Sequence, residues 1–315
     1  MILQRLRNGW QQFFFAPQSP LPIALFRILY GLCVSASLIL LHGDWLEWYG
    51  VHSWISMSTM KTIEPGVRLN LFGIIPQDDR WIGAFFWVFL VLTFMLIIGL
   101  WTRFSSAAVF LCLASIQQRN LFILHGGDTF LRIAGFFLIF APAGAALSID
   151  RLLRVLRGRE GATPPLSAPW AQRMIQYQLA FMYFVSVMWK LKGNTWRNGT
   201  AVGYVFHLHA VTRFPLPAWA LFPVMIKAET WLTLAVEFSL AALIWLRPLR
   251  YPLLLVGLLF HLCMEYALNV PMFQWDILSA YVLFIDPDDL SRAWRAIFRR
   301  APNRRREPES ITETT

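Results

Sequence analysis

Apolar residues in this chain run in long blocks, separated by short polar or proline-containing stretches, instead of alternating with polar residues at short period. Eight blocks can be drawn, at 21–41, 81–101, 104–124, 128–147, 171–191, 229–246, 250–268 and 271–285. Most reach the roughly 20 residues that cross a bilayer as helix. A run of that length predicts a helix because backbone groups in hydrocarbon must satisfy their own hydrogen bonds. The last block is short enough to be broken or only partly embedded, with Pro271 in its first turn, where a missing N–H is tolerated. The expected fold is therefore all-α, a polytopic membrane helix bundle of about eight transmembrane helices.

Two of the interruptions are long. Residues 42–80 mix tryptophans with acids, from His42-Gly-Asp-Trp-Leu-Glu-Trp-Tyr49 onward, a composition that suits a cap at the membrane interface. Residues 192–228 contain a stretch from Gly199 to Val211 that is too polar for a lipid-exposed span, followed by Pro215, Pro217 and Pro223. A re-entrant or interfacial helix over a cavity fits it, since irregular backbone at depth needs protein or water around it. Residues 148–169, with Pro164, Pro165 and Pro169, read as a basic linker. No fixed-period repeat is visible, so the organisation expected is a single transmembrane domain over residues 1–290 and a basic cytoplasmic tail over 291–315.

Composition removes the soluble alternative. Hydrophobic residues make up 57% of the 315 and charged residues only 15%, with a mean hydropathy of +0.50, whereas soluble domains carry about 25% charge. Of the 28 Lys and Arg, 17 fall on the side of the N-terminus and 7 on the opposite side, which orients the chain N-in and C-in by the positive-inside rule. The net charge of +10 is mostly this arginine. The tail arginines Arg299, Arg300, Arg304, Arg305 and Arg306 suit anionic headgroups of the lipid bilayer and make a nucleic-acid partner the weaker reading. The first span carries Arg27 and has no clear small-residue cleavage site, so it is expected to stay as a helix. Cys33, Cys112 and Cys263 sit in three separate spans and read as small core residues. His207 and His209 lack the further ligands a zinc site needs, so no metal is expected.

Charge inside the apolar blocks carries the functional signal. Arg27, Arg119, His125, Asp128, Arg132, Lys190, Glu237, His261 and Glu265 lie in or against them, where an uncompensated charge costs about 2.5–3.5 kcal/mol on insertion scales. Such groups must pair or face water. The orientation puts Arg119, His125, Asp128, Arg132, Lys190 and Glu265 in the outer half, so they are expected to line an outward-facing polar cavity, with Glu237 and His261 as further candidates. Structural pairing accounts for several of them: Asp128 and Arg132, like His261 and Glu265, are four apart on one helix face, and Arg27 and Glu237 can each neutralise a charge elsewhere in the bundle. Lys190 is one of only four lysines and ends a long apolar span. A lysine there either snorkels to the headgroups or, desolvated, works as a base.

Ala24-Leu-Phe-Arg-Ile-Leu-Tyr-Gly31, Gly99-Leu-Trp-Thr-Arg103 and Ser148-Ile-Asp150 resemble, in their order, the bacterial HTTM domain and the transmembrane core of vitamin K-dependent gamma-carboxylases. Tyr183-Phe184, Lys190-Leu191, Trp196, Gly199, Glu237, Phe260-His261 with Met264, and Met272-Phe273 continue the likeness to about residue 290. The resemblance implies a reduced quinone such as vitamin K hydroquinone as cofactor and Lys190 as the catalytic base that deprotonates it. His125-Gly-Gly-Asp128 is closer to the bacterial pattern, and the chain ends soon after its eighth block, so glutamate carboxylation itself is not expected. A quinone- or lipid-binding membrane protein, a non-catalytic factor for export or maturation of a secreted peptide partner, and a proton-coupled transporter using His261, Glu265 and Glu237 all remain open at this point. The location expected is the bacterial inner membrane.

Overall fold

A computed structural model of the chain describes residues 1–63, 66, 69–161 and 163–298. Arg68 and the tail arginines from Arg299 onward lie outside them, as do residues 299–315 of the expected tail. The described residues are all-α, with two isolated β-bridges and no strand. An amphipathic α1 (Ile2–Phe15) precedes the long α2 (Leu21–Leu41). The short α3 (Trp45–Tyr49) and α4 (Met57–Ile63) form a cap, and α5 (Asp79–Ile98), α6 (Thr102–Arg119) and α7 (Gly126–Phe140) return through the bundle. After α8 (Ile149–Leu156) comes α9 (Trp170–Lys192), then the short α10 (Asn194–Arg197) and α11 (Ala201–Phe206). The second long pair is α12 (Pro223–Ala242) and α13 (Arg247–Ala267), followed by α14 (Phe273–Ser279) and α15 (Pro287–Phe298).

Among the described residues, α2, α5 and α13 are long and apolar enough to cross a membrane. The other blocks fall short for physical reasons. Helix α6 buries Ser105, Ser106, Ser115, Gln117 and Arg119, and α9 buries Gln172 and Gln176, so both spend polar residues on interior hydrogen bonds. Helix α7 stops at Phe140, because Ala141 precedes Pro142 and takes an extended conformation. Helix α12 is long enough but carries three charges, Lys227, Glu229 and Glu237; it starts at Pro223, six positions before the apolar block, since proline is favoured at the first helical turn. The 271–285 block is not one helix: α14 gives way to a 3₁₀ stretch at Ala280–Phe284 whose side chains are all buried.

Contacts gather the helix ends into two sets. At the end carrying the N-terminus, Gln18 pairs with Ser167, the Arg173 guanidinium donates to the Phe13 carbonyl (3.2 Å), and Tyr251 bonds Asp289. At the far end, His125 meets the Pro271 carbonyl (2.9 Å), Asn269 N–H donates to the Val211 carbonyl (2.7 Å), and Arg213 pairs with Glu265.

The three motifs nearest the N-terminal end interlock. Arg27, fully buried, donates to the carbonyls of Ala143 (2.7 Å), Leu147 (2.5 Å) and Ile97 (3.3 Å). Gly99 closes α5 with φ 68°, and a Cβ there would run into Ser148 and lie 2.7 Å from the Arg27 guanidinium. Asp150 caps α6, accepting from the N–H groups of Trp101 (2.8 Å) and Thr102 (2.7 Å) and from the Thr102 hydroxyl (2.7 Å). Leu147 (φ 48°) and Trp101 (φ 46°) are held left-handed beside this latch, a strained conformation that persists only where the surroundings over-determine it.

The outside of the bundle is apolar along helical stripes. Trp87, Val88, Val91 and Phe94 on α5 and Leu255, Leu258, Leu259 and Leu262 on α13 are exposed. Their spacing of three, four and seven places each set on one face. Apolar surface on this scale calls for a non-aqueous neighbour. Cys263 shares the outer position of α13, in contrast to the buried Cys33 and Cys112. The core-residue expectation fails there because α13 is peripheral, burying only Leu254, Gly257, His261 and Ala267.

Candidate functional site

A cavity of ≈ 310 Å³ opens at the far end between α2, α6, α7 and the 271–272 turn. Its walls are mainly apolar, with Leu38, Phe89, Leu113, Ile116 and Leu131 among them. Five polar side chains interrupt them: Ser37, Tyr49, Gln117, His125 and Asp128. Each is positioned by its element. Tyr49 ends α3, which the indole N–H of Trp45 ties to the Ile82 carbonyl of α5 (3.0 Å). Gln117 donates from its amide nitrogen to the Asp128 carbonyl (2.8 Å), and its Oε1 is buried with no hydrogen-bond partner among the described residues. An orphan acceptor of this kind is costly unless a donor reaches it.

His125 and Asp128 build the α7 capping box. The Gly127 N–H donates to His125 Nδ1 (3.0 Å) and the His125 N–H to Asp128 Oδ2 (2.9 Å). Because Nδ1 accepts, the ring proton sits on Nε2, which donates to the Pro271 carbonyl (2.9 Å). Both ring nitrogens are thus committed, and His125 shapes the cavity rim without a free nitrogen for proton transfer. Asp128 gives one oxygen to this box and does not pair with Arg132 four residues on. Arg132 is half-buried and bonds no carboxylate among the described residues.

A second polar cluster lies between α9, α12, α13 and α14. Lys190 is ion-paired with Glu237, and its Nζ lies 5.1 Å from the Trp196 ring centroid. The Lys190 amine therefore faces a carboxylate on one side and an aromatic ring on the other. Glu237 Oε2 is buried without a hydrogen-bond partner among the described residues. Alongside, Tyr281, Tyr183, His261 and Gln274 form a chain. The Tyr183 hydroxyl is 2.9 Å from that of Tyr281 and 2.6 Å from His261 Nε2, and His261 Nδ1 is 2.5 Å from Gln274 Oε1. With Gln274 Oε1 as acceptor, Nδ1 carries the proton and Tyr183 donates to Nε2. Replacing Tyr183 with phenylalanine should strip one partner from His261 and one from Tyr281, lowering stability by about 1–3 kcal/mol. Thermal unfolding in detergent checks this.

The expected cavity residues thus divide. His125 and Asp128 line the cavity; Lys190, Glu237, His261, Glu265, Arg119 and Arg132 are not among its lining residues. Arg119 turns to the cap, donating to the Ser53 hydroxyl (2.7 Å) and the Ile55 carbonyl (2.8 Å). Glu265 bonds Arg213 while His261 faces the bundle interior, so the two do not act as one i, i+4 pair. Arg27 bonds carbonyls, and Glu237 is the partner of Lys190. Phe273 connects the two polar regions, its ring 5.7 Å from that of His125 and 6.4 Å from that of His261.

Sequence reasoning missed Tyr49, Gln117, Gln274 and Asp276. Asp276 is buried beside Cys33, with Oδ1 unpartnered among the described residues, and a Cβ on Gly127 would lie 2.6 Å from its other oxygen. An aspartate within the 271–285 block was a readable signal, of the same kind as Glu237. Gln117 carried none, because a glutamine in a span ordinarily bonds a neighbouring backbone. Among the described residues no three His, Cys, Asp or Glu side chains gather as metal ligands.

Over residues 15–289 the chain matches the family model of the HTTM domain. None of the curated proteins and none of the solved structures compared with it matches.

Proposed function

Because the chain belongs to the HTTM domain family, we propose that it is an integral membrane protein of the bacterial inner membrane whose far-end cavity opens outward and binds an apolar molecule with a hydroxylated head, an isoprenoid hydroquinone or a related lipid. The observation that carries the reading is the orphaned Oε1 of Gln117 in a largely apolar cavity that Tyr49 and Asp128 also line. Few polar groups in an apolar pocket orient a ligand, and a volume near 300 Å³ is the small end of such sites. Gln117 and Asp128 would accept from phenolic hydroxyls and Tyr49 would donate, so the residues present fit a reduced quinone. When bound, a reduced quinone would supply two electrons and two protons; the protein's part is to seat the ring and keep water from it.

The eight-span, N-in and C-in arrangement is supported by the two sets of helix ends, which collect alternate connections of the chain on opposite faces, with the arginine-rich connections together. The exposed stripes of α5 and α13 would face lipid. Lys190, which the family resemblance suggests as a base, would act on a ligand only after parting from Glu237.

Native mass spectrometry with extraction of bound lipids tests the reading. The wild type should retain a quinone or hydroxylated lipid, and Ser37→Phe, which fills the cavity wall, should lose it while still unfolding cooperatively. Gln117→Leu should weaken retention by roughly tenfold, as expected for one hydrogen bond to a buried acceptor. Retention unchanged in Ser37→Phe, or no retained molecule in the wild type, would overturn it.

A further inference from the structure

At the opposite end from that cavity, a groove of ≈ 520 Å³ runs between the first turn of α6, the end of α7 and α8. Its floor is made of small residues, Ala141, Gly144 and Ala145, and its rim carries the aromatic rings of Trp101 and Phe104, both well exposed. Gly144 must lack a side chain for the floor to form, since a Cβ there would lie 2.7 Å from the Thr102 hydroxyl. The walls are fixed before any ligand arrives: Ser148 Oγ donates to the Gly144 carbonyl (2.7 Å), and Arg154 donates to the same carbonyl (3.1 Å) and to Glu160 (2.6 Å).

Charge in the groove is unbalanced. Asp150 is its carboxylate, and both oxygens are already engaged by the Trp101 and Thr102 N–H groups and the Thr102 hydroxyl. Glu160 is shared by Arg151 and Arg154. Arg103, exposed at the rim, has no ion-pair partner among the described residues, and Arg154 keeps N–H donors beyond those it uses. Next to Arg103, the rings of Trp101 and Phe104 supply the groove's exposed apolar surface.

We infer that this groove seats the headgroup of an anionic phospholipid from the surrounding bilayer, with its phosphate against Arg103 and Arg154 and its acyl chains along Trp101 and Phe104. Three features converge on a lipid: free guanidinium donors suited to phosphate, a rigid recess that lets a headgroup reach them, and the exposed rings of Trp101 and Phe104 at its rim. Basic recesses between helices on the cytoplasmic side of membrane proteins are suited to anionic lipids, and the arginine distribution assigns this end to that side. The site is separate from the far-end cavity, and its test does not depend on what that cavity holds.

Reconstitution of the full chain into nanodiscs of phosphatidylcholine containing phosphatidylglycerol, followed by native mass spectrometry, reads the preference directly. The wild type should retain phosphatidylglycerol over phosphatidylcholine. Arg103→Gln, which breaks no ion pair or side-chain hydrogen bond among the described residues, should reduce that preference about fivefold, the effect of one arginine near the bilayer surface. Arg7→Gln on α1 should leave it unchanged. Equal retention of the two lipids would overturn the inference, as would an equal loss in Arg7→Gln, which would mark a diffuse field in place of a site. Displacement of the lipid by soluble glycerol phosphate would also overturn it, by assigning the groove to a free phosphate ligand.

Discussion

Arg27→Met should be the most damaging single substitution in the bundle, costing about 3–5 kcal/mol and preventing stable accumulation in the membrane. One guanidinium satisfies three carbonyls, those of Ala143, Leu147 and Ile97, which come from two separate parts of the chain and have no water to replace it in a fully buried position. Methionine fills much the same volume, so the loss would be of hydrogen bonds and not of packing. Arg27→Lys should recover only part of the stability, because an ammonium lacks the planar fork that reaches carbonyls on different sides. Unfolding temperature in detergent, with yield from membranes as a second measure, separates the three proteins. A methionine variant as stable as the wild type would show that the latch is not what joins α2 to the α5 terminus and the 143–147 turn.

The second large effect concerns Lys190. Lys190→Met should lower stability by about 3 kcal/mol, the low end for breaking a buried pair, since Lys190 keeps 21% of its side-chain surface exposed. Most of that loss would come from Glu237, whose side chain is 7% exposed and whose carboxylate would be left unpaired. The double variant Lys190→Met/Glu237→Gln should therefore be more stable than the single lysine variant. Comparing the four proteins as a double-mutant cycle gives the coupling. A coupling near zero would contradict the ion pair, and full recovery of stability without recovery of ligand retention would assign the pair a part in binding.

The helices of this fold were largely readable and their partnerships were not. The block at 21–41 coincides with α2, and the blocks at 171–191 and 250–268 differ from α9 and α13 by a few residues at each end, because apolar length reports directly on what a helix must bury in lipid. Boundaries drifted where a proline set them, as at Pro142 and Pro223. Lys190 and Glu237 were both visible as costly charges, yet they are 47 residues apart, and only the packing of α9 on α12 makes them a pair. Local spacing misled in the same way. It placed Asp128 with Arg132 and His261 with Glu265, whereas Asp128 turns to the helix cap and Glu265 to Arg213, partners off the shared helix face.

The motifs that suggested the family turn out to concern architecture as much as chemistry. Arg27, Gly99 and Asp150, one from each of the three motifs nearest the N-terminal end, meet in a single latch. The cavity at the other end takes part of its polar character from the His125-Gly-Gly-Asp128 stretch and part from Tyr49 and Gln117, which no motif singled out. Reading demand for a hydrogen bond requires coordinates, since an unmet acceptor is defined by what fails to surround it.

The central claim, that the cavity opens outward and holds a ligand, is tested most directly by cysteine labelling. In a Cys263→Ala background, where the remaining Cys33 and Cys112 are buried, Leu124→Cys places a thiol in the cavity wall beside His125. A membrane-impermeant maleimide added to intact spheroplasts should label it, and added hydroquinone should slow the labelling. Labelling only from the cytoplasmic face of inverted vesicles, at a rate that hydroquinone leaves unchanged, would contradict the claim.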